Sequence, residues 1–254
     1  MLNLFQFLEL FPVIRYIFFH AKKRKKRMPL LPGLKNQDHN TMPLYKTKHI
    51  SRSVGTSTQI LVWKVTESYA ELLEEVVLND SNRIRLDGMK SEMHQRAFLS
   101  VRKLLQETGH TDLDLYYDEF GKPHLQGEKH ISITHSHNFS AIIISGETVG
   151  IDIELQRDKI TRIADKFCDS EFQFLDMDSE EYIRKLTVIW GAKEAIFKIR
   201  NEKGISFKDH ISVEEFRINV KQTVAKLHFN NLVKDFNIHF EEIEDFTLVY
   251  AFEN

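Results

Sequence analysis

The chain has 254 residues, of which 42% are hydrophobic and 11% aromatic, enough for one large or two small globular domains. The single cysteine, Cys168, excludes an internal disulfide framework and fits a reducing compartment, so we expect a cytoplasmic protein. The formal charge of −2 conceals +6 in residues 1–41 and −8 in the remainder. An acidic body disfavours a broad nucleic-acid-binding surface.

The first 41 residues combine an apolar stretch with the basic run Lys22–Arg27. The apolar stretch is shorter than the about 18 uninterrupted residues of a spanning helix. The basic run follows the apolar stretch, whereas in a secretory signal the basic residues precede it. Three interpretations stay open: an upstream extension of a reading frame that starts at Met42, a tether to an anionic membrane or partner, and a short reversed anchor. We exclude residues 1–41 from the predicted fold.

Residues 42–149 are predicted to form an N-terminal half of helices backed by an antiparallel sheet. A strand is predicted at 59–65, a helix at 67–78 with Thr66 as its cap, and a helix at 90–108 that ends at Gly109. The polar side of the long helix carries Arg96, Arg102 and Lys103, which we expect to be exposed. Further strands are predicted within 114–125 around a turn at Gly121, and at 131–134, 140–145 and 149–154, the last two forming a hairpin.

Residues 150–254 are predicted to form a C-terminal half with the same ingredients. Helices are expected at 159–167, 170–177 and 179–201, and short strands at 211–216, 223–229, 236–241 and 246–252. Each half has about the size of a typical small domain. We therefore predict an α+β fold in which two similar halves, each a helix layer on an antiparallel sheet, are related by a pseudo-twofold.

Two segments of the second half carry the candidate chemistry. In GIDIE, Asp152 and Glu154 alternate with isoleucines, so both carboxylates point to one face of a strand. In WGAKEAIFK, Glu194 and Lys198 share one helix face, and Lys193 is expected beside them on a phosphate-facing surface. If the helix crosses the strand end, three carboxylates converge, a set that suits Mg²⁺ and phosphate. The simpler alternatives are a solvated edge strand and an ordinary ion pair on a helix.

The ordered set of GIDIE, WGAKEAIFK, the turn FGKPHL at 120–125 and ISITHS at 131–136 resembles the 4'-phosphopantetheinyl transferases. The length and two-part layout resemble the monomeric, double-domain type that activates peptide synthetases. The resemblance, over roughly residues 42–210, implies Mg²⁺-dependent transfer of the phosphopantetheine arm of coenzyme A to a serine of an apo acyl or peptidyl carrier protein, releasing 3',5'-ADP. The double-length layout also implies a monomer. From the acidic body and the short apolar runs we expect neither nucleic-acid binding nor firm membrane association.

The resemblance also assigns roles to individual residues. Asp152, Glu154 and Glu194 are implied metal ligands; Glu194 is the candidate base, directly or through a metal-adjacent water, and Lys198 contacts phosphate and steers the proton. Coenzyme A is implied to contact Arg96 (3'-phosphate), Lys122 and Pro123 (adenosine end), His135 (3'-phosphate or pyrophosphate), Ser136 and Lys198. Thr134 stands where the family more often has serine.

Departures and alternatives bear on several of these residues. Arg96 could be a solvated arginine, and Lys122 and Pro123 could serve the turn alone. The pair His135 and His137 could suggest zinc, which the lack of nearby cysteines disfavours. Cys168 replaces a capping serine, so Asp169 or Ser170 is expected to take the cap. The main alternative function is a non-catalytic relative that binds coenzyme A or a carrier; a second is a membrane-tethered or anionic-surface protein organised by the N-terminal basic run.

Overall fold

Two antiparallel sheets form the framework of the chain in the computed structural model, which describes residues 43–52 and 56–254. The predictions for residues 1–41 lie outside the described residues. Pro43–Asn254 forms one compact unit. Among the described residues, no helix has the length and apolar character needed to cross a membrane.

The first sheet has four strands in the order β1-β2-β6-β5. These strands are β1 (Leu44–Ile50), β2 (Thr58–Lys64), β5 (His130–Ser136) and β6 (Phe139–Ser145). Between β2 and β5 the chain forms helices α1 (Tyr69–Glu74), α2 (Asp80–Asp87) and α3 (Glu92–Glu107), and the small hairpin β3 (Leu115–Tyr117) and β4 (Pro123–Leu125). The apolar face of α3, including Leu99 and Leu104, packs with Trp63 and Ile142 of the sheet into one buried core.

The second sheet has five strands in the order β7-β11-β10-β9-β8. They are β7 (Val149–Leu155), β8 (Ile211–Val213), β9 (Gln222–Phe229), β10 (Leu232–Ile243) and β11 (Phe246–Glu253). The long helix α4 (Tyr182–Arg200) packs on β7 and β11, and the one-turn helix α5 (Phe207–His210) precedes β8. Three 3₁₀ helices complete the half: Asp158–Lys166, Ser170–Gln173 and Ile218–Val220.

A second buried core joins the two sheets. It contains Ile60 and Ile143 of the first sheet together with Ile151, Ile153 and Leu248 of the second. Each half therefore contributes an antiparallel sheet and one long helix, and the α+β prediction with two similar halves is confirmed. The boundary between residues 149 and 150 stays a prediction.

Three details of the predicted elements are wrong. Strand 149–154 does not form a hairpin with 140–145, because β7 pairs antiparallel with β11 instead. The helix predicted at 67–78 ends at Glu74 and is capped by Ser68, which forms a reciprocal capping box with Glu71, rather than by Thr66. Arg102 is not exposed: its Nε donates to Asp112 Oδ1 at 2.8 Å, and both side chains are buried.

The segment after β7 also differs from its prediction. Helices 159–167 and 170–177 are 3₁₀ helices, and the second one ends at Gln173. Asp169 occupies the position before that helix, as expected for the replacement of Cys168, but its side chain makes no capping hydrogen bond. Glu171 holds this short helix instead, because its carboxylate accepts from the backbone N–H groups of Asp169 and Val213 at 3.0 and 2.9 Å.

Candidate active site

Helix α4 lies directly on β7 because two glycines permit the approach. A Cβ atom on Gly150 would lie 2.0 Å from the carbonyl oxygen of Ala195, and one on Gly191 would lie 2.6 Å from Val249 Cγ2. Any side chain at these positions would push the helix away from the sheet. Glycine at both positions thus lets the helix that carries Glu194 and Lys198 lie against the strand that carries Asp152 and Glu154.

The structure brings the three predicted carboxylates into electrostatic contact. Asp152 and Glu194 are buried, with 4% and 8% of their surface exposed, and Glu154 is partly buried. Burial, together with the negative charges of Asp152 and Glu194, raises the pKa of Glu154 to about 8. Burial and the charge of Asp152 raise the pKa of Glu194 to about 7. Such a cluster is unfavourable as three bare anions, so a cation would stabilise it.

Asp152 has donors on one carboxylate oxygen and none on the other. Thr134 Oγ1 donates to Oδ1 at 3.0 Å, and Lys198 Nζ donates to the same atom at 2.8 Å and to the Ile151 carbonyl oxygen at 2.8 Å. Asp152 Oδ2 is buried and has no hydrogen-bond partner within the described part of the chain. A buried carboxylate oxygen without a partner is costly, and it is available as a ligand.

The chemistry of these side chains fits Mg²⁺. All three side chains offer carboxylate oxygens, the ligand atoms that Mg²⁺ prefers. Because the ion keeps several waters, it needs few protein ligands. Among residues 43–52 and 56–254, no group of three or more His, Cys, Asp or Glu side chains is arranged so that it could hold a metal ion as it stands. The fit therefore rests on the oxygen donors and on the partnerless Asp152 Oδ2.

Lys193 is not on the phosphate-facing surface, contrary to the prediction. Its side chain is fully buried, and Nζ lies 2.6 Å from Glu171 Oε1 and donates to the carbonyl oxygens of Phe167 and Phe207 at 2.6 and 3.0 Å. Because neighbouring residues on a helix point about 100° apart, Lys193 faces away from β7 while Glu194 faces it. Lys193 joins α4 to the 3₁₀ segment and to α5.

Comparison with known proteins matches the second half of the chain to one protein family. The model of the 4'-phosphopantetheinyl transferase superfamily matches residues 148–251, the segment that contains β7, α4 and the second sheet. Residues 148–251 belong to this superfamily. The predicted family is confirmed, and the carboxylates and Lys198 all lie within the matched transferase segment.

A curated relative of the same superfamily matches as well. The chain is 27% identical over 128 residues to the 4'-phosphopantetheinyl transferase gsp of Aneurinibacillus migulanus, which covers 50% of this chain and 52% of the relative. The chain thus matches about half the length of that relative. This likeness is consistent with the double-domain type of transferase.

His135 and Ser136 lie before the matched transferase segment and differ in direction. Ser136 Oγ donates to Glu154 Oε2 at 3.3 Å, so it faces the carboxylates. His135 points the other way along β5 and is exposed, although the ring of His94 lies 6.2 Å from its own. The surrounding protein, followed by the charges of His94, Lys198 and Arg85, lowers its pKa to about 4.

Lys122, Pro123 and Arg96 also lie before the transferase segment, and two of them have protein partners. Lys122 Nζ donates to the Ile199 carbonyl oxygen at 2.6 Å, which links the turn to the C-terminal end of α4. Pro123 opens β4 opposite Tyr117, after Gly121 with φ of 83°. Arg96 donates to the carbonyl oxygens of Glu67 and Val65 at 2.7 and 3.2 Å. None of these contacts reaches the carboxylates.

Sequence reasoning missed the contribution of Thr134. In the sequence Thr134 stands out only as a departure from serine, whereas in the structure its hydroxyl contacts Asp152. The available signal was the alternation of Ser132, Thr134 and Ser136 in ISITHS, which places three hydroxyls on one face of a strand.

Proposed function

We propose that the protein transfers the 4'-phosphopantetheine arm of coenzyme A to a serine of an apo acyl or peptidyl carrier protein, with Mg²⁺, and releases 3',5'-ADP. The observations that support this proposal are the electrostatic effects of Asp152, Glu154 and Glu194 on one another and the ion pair of Asp152 with Lys198, within a segment that matches the superfamily. The serine oxygen forms a bond to the β-phosphorus of coenzyme A, the bond from that phosphorus to the 3',5'-ADP oxygen breaks, and the serine proton leaves to a base.

Asp152, Glu154 and Glu194 would hold Mg²⁺, which supplies positive charge against the pyrophosphate. Lys198 adds a second positive charge, and its flexible ammonium can move from Asp152 to a phosphate oxygen. Phosphoryl transfer depends mainly on such positioning and charge stabilisation.

Glu194 is the proposed base for the serine proton. A pKa of about 7 suits a group that must accept a proton near neutral pH. A carboxylate that binds a metal is a weaker base, so Glu194 acts either directly or through a metal-adjacent water. The two routes share the same requirement for Glu194.

The proposed coenzyme A contacts are Arg96, Lys122, Pro123, His135 and Ser136. His135 would act as a neutral imidazole donor to phosphate, because a pKa of about 4 leaves it uncharged near pH 7. Arg96 keeps further guanidinium N–H donors besides the two that bind backbone carbonyls, and these suit the 3'-phosphate. The turn with Lys122 and Pro123 would adjoin the adenosine end.

The experiment is mass spectrometry of a panel of apo carrier proteins incubated with the protein, coenzyme A and Mg²⁺. The panel should include fatty-acid, polyketide and peptide-synthetase carriers, each with a serine-to-alanine control and an EDTA control. We expect at least one carrier to gain one phosphopantetheine and an equal amount of 3',5'-ADP to form. Coenzyme A binding without modification of any carrier would instead support a non-catalytic relative.

We further propose that the protein acts as a cytoplasmic monomer, since one chain supplies both halves of the proposed cleft. Light scattering during size-exclusion chromatography tests the oligomeric state. A stable dimer that loses activity on dilution would contradict it.

A further inference from the structure

The two halves are joined at the active site by side-chain hydroxyls. Strands β5 and β7 run side by side. The Ser132 hydroxyl accepts a hydrogen bond from the Ile151 N–H, and the Thr134 hydroxyl accepts one from the Ile153 N–H, each at 3.2 Å. Ser136 continues the same row and donates to Glu154 Oε2 at 3.3 Å. A row of hydroxyls on β5 thus takes part in holding the strand of the catalytic carboxylates.

Thr134 has two functions in this row. Its hydroxyl accepts the Ile153 N–H and donates its single proton to Asp152 Oδ1 at 3.0 Å. Because one lone pair is occupied by the backbone N–H, the proton is directed to the carboxylate. The preferred χ1 rotamers of threonine further restrict where the hydroxyl can point. Ser132, two residues earlier, makes the equivalent backbone contact and touches no carboxylate in the described contacts.

The contact determines which Asp152 oxygen is available. Oδ1 accepts from both Thr134 and Lys198, and the buried Oδ2 has no partner within the described residues. If Lys198 moves to a substrate phosphate, Thr134 still holds Oδ1. The carboxylate then keeps its orientation, and Oδ2 stays directed away from β5.

We propose that Thr134 is a positioning residue that orients Asp152 so that Oδ2 is presented to the divalent cation. This inference rests on the proposed function only in taking Asp152 as a metal ligand. Hydrogen-bond partners of metal ligands typically contribute about 10- to 100-fold to metal affinity, and Thr134 is in that relation to Asp152.

The test uses three variants of the full chain. Thr134→Val keeps the shape but removes the hydroxyl, Thr134→Ser restores it, and Ser132→Ala removes the neighbouring hydroxyl contact to the same strand. The dissociation constant of Mn²⁺ is measured by electron paramagnetic resonance, with and without coenzyme A and without any carrier, and thermal unfolding is recorded for each variant.

We expect Thr134→Val to weaken Mn²⁺ binding by about 10- to 100-fold. Thr134→Ser should bind nearly as the wild type, and Ser132→Ala should lower stability while leaving Mn²⁺ affinity unchanged. If Ser132→Ala weakened Mn²⁺ binding as much as Thr134→Val does, the inference would be overturned, because a change in the spacing of β5 and β7 would then explain the loss of affinity. Wild-type affinity in Thr134→Val, or no Mn²⁺ binding by the wild type, would also overturn it.

The same measurements separate this inference from the proposed function. If no carrier is modified but the three variants follow the expected Mn²⁺ pattern, the transfer proposal fails and the positioning role stands. If carriers are modified and Thr134→Val binds Mn²⁺ like the wild type, the positioning role alone fails.

Discussion

Lys198 Nζ lies 2.8 Å from Asp152 Oδ1, so an ion pair joins the helix and the strand that face each other across the candidate site. The ammonium group is partly exposed, whereas the carboxylate is buried. Lys198 can therefore leave the pair for a phosphate group, while Asp152 cannot turn to solvent. Burying Asp152 Oδ2 without a hydrogen-bond partner costs folding free energy, and this cost falls when a cation binds the oxygen.

The first prediction concerns Asp152→Asn, which keeps the shape of the side chain and removes its charge. We expect the rate of carrier modification to fall by about 10²- to 10³-fold, as for loss of one electrostatic group in an active site, with the fold retained. Initial rates and circular dichroism measure both. Asp165→Asn, an exposed carboxylate on the following segment, is the charge-matched control and should keep its rate. Wild-type transfer by Asp152→Asn would show that the metal assignment is wrong.

The second prediction concerns Glu154→Gln in the absence of metal. Because burial and two negative neighbours raise the pKa of Glu154 to about 8, its carboxylate is mainly charged only above that pH, so a neutral amide should relieve repulsion and raise the thermal unfolding midpoint in EDTA at pH 9. The same substitution removes a proposed metal ligand, so the gain in midpoint that Mg²⁺ and coenzyme A should give the wild type is expected to shrink. Thermal unfolding with and without Mg²⁺ measures both effects. A lower midpoint in EDTA, or an undiminished gain with Mg²⁺, would contradict the account.

The third prediction concerns the buried pair of Lys193 and Glu171. Lys193→Met leaves a buried carboxylate without its cation, and we expect a loss of about 3–5 kcal/mol of unfolding free energy in urea. Adding Glu171→Gln should recover part of that loss, because it removes the unpaired charge while its single amide oxygen can still accept one of the two backbone N–H groups.

The transfer rate of a second lysine variant, Lys198→Met, shows whether a loss of function is specific to the candidate site. The folded double variant of Lys193 and Glu171 should transfer at nearly the wild-type rate. Lys198→Met should stay folded, since Thr134 still donates to Asp152, but its transfer should be strongly impaired. A loss below about 1 kcal/mol for Lys193→Met, the value of an exposed pair, would contradict the buried position.

The fourth prediction concerns Cys168, the single cysteine. Burial, followed by the negative charge of Glu171, raises the pKa of its thiol to about 12, so almost no thiolate exists at pH 8. We expect no reaction with a disulfide reagent at pH 8 in the folded protein, and one equivalent after unfolding in guanidinium. Rapid reaction of the native protein would mean that this segment opens or is placed differently.

The local patterns predicted the elements of the site, but not every direction within them. Alternation in GIDIE and the helical spacing of Glu194 and Lys198 predicted which side chains share one face of the strand or of the helix, since both patterns are local. The inward direction of Lys193 was not predictable, because its partner Glu171 is far from it in sequence and charged residues are usually exposed. The burial of Arg102 with Asp112 was not predictable either, because a charged residue on the polar side of a helix is usually exposed.

Strand pairing was the other limit. Gly146 correctly indicated that the chain turns after β6, but a turn signal does not identify the partner of the next strand. Strand β7 pairs with β11, near the end of the chain, and contacts β5 through hydroxyls. Neither relation leaves a periodic signal in a single sequence.

The most direct measurement is a crystal structure with coenzyme A and Mn²⁺, with the metal located by its anomalous scattering. The account predicts one peak coordinated by Asp152 through Oδ2, with Glu154, Glu194 and a pyrophosphate oxygen around the same ion. A complex with ordered coenzyme A and no peak among these three carboxylates would contradict it.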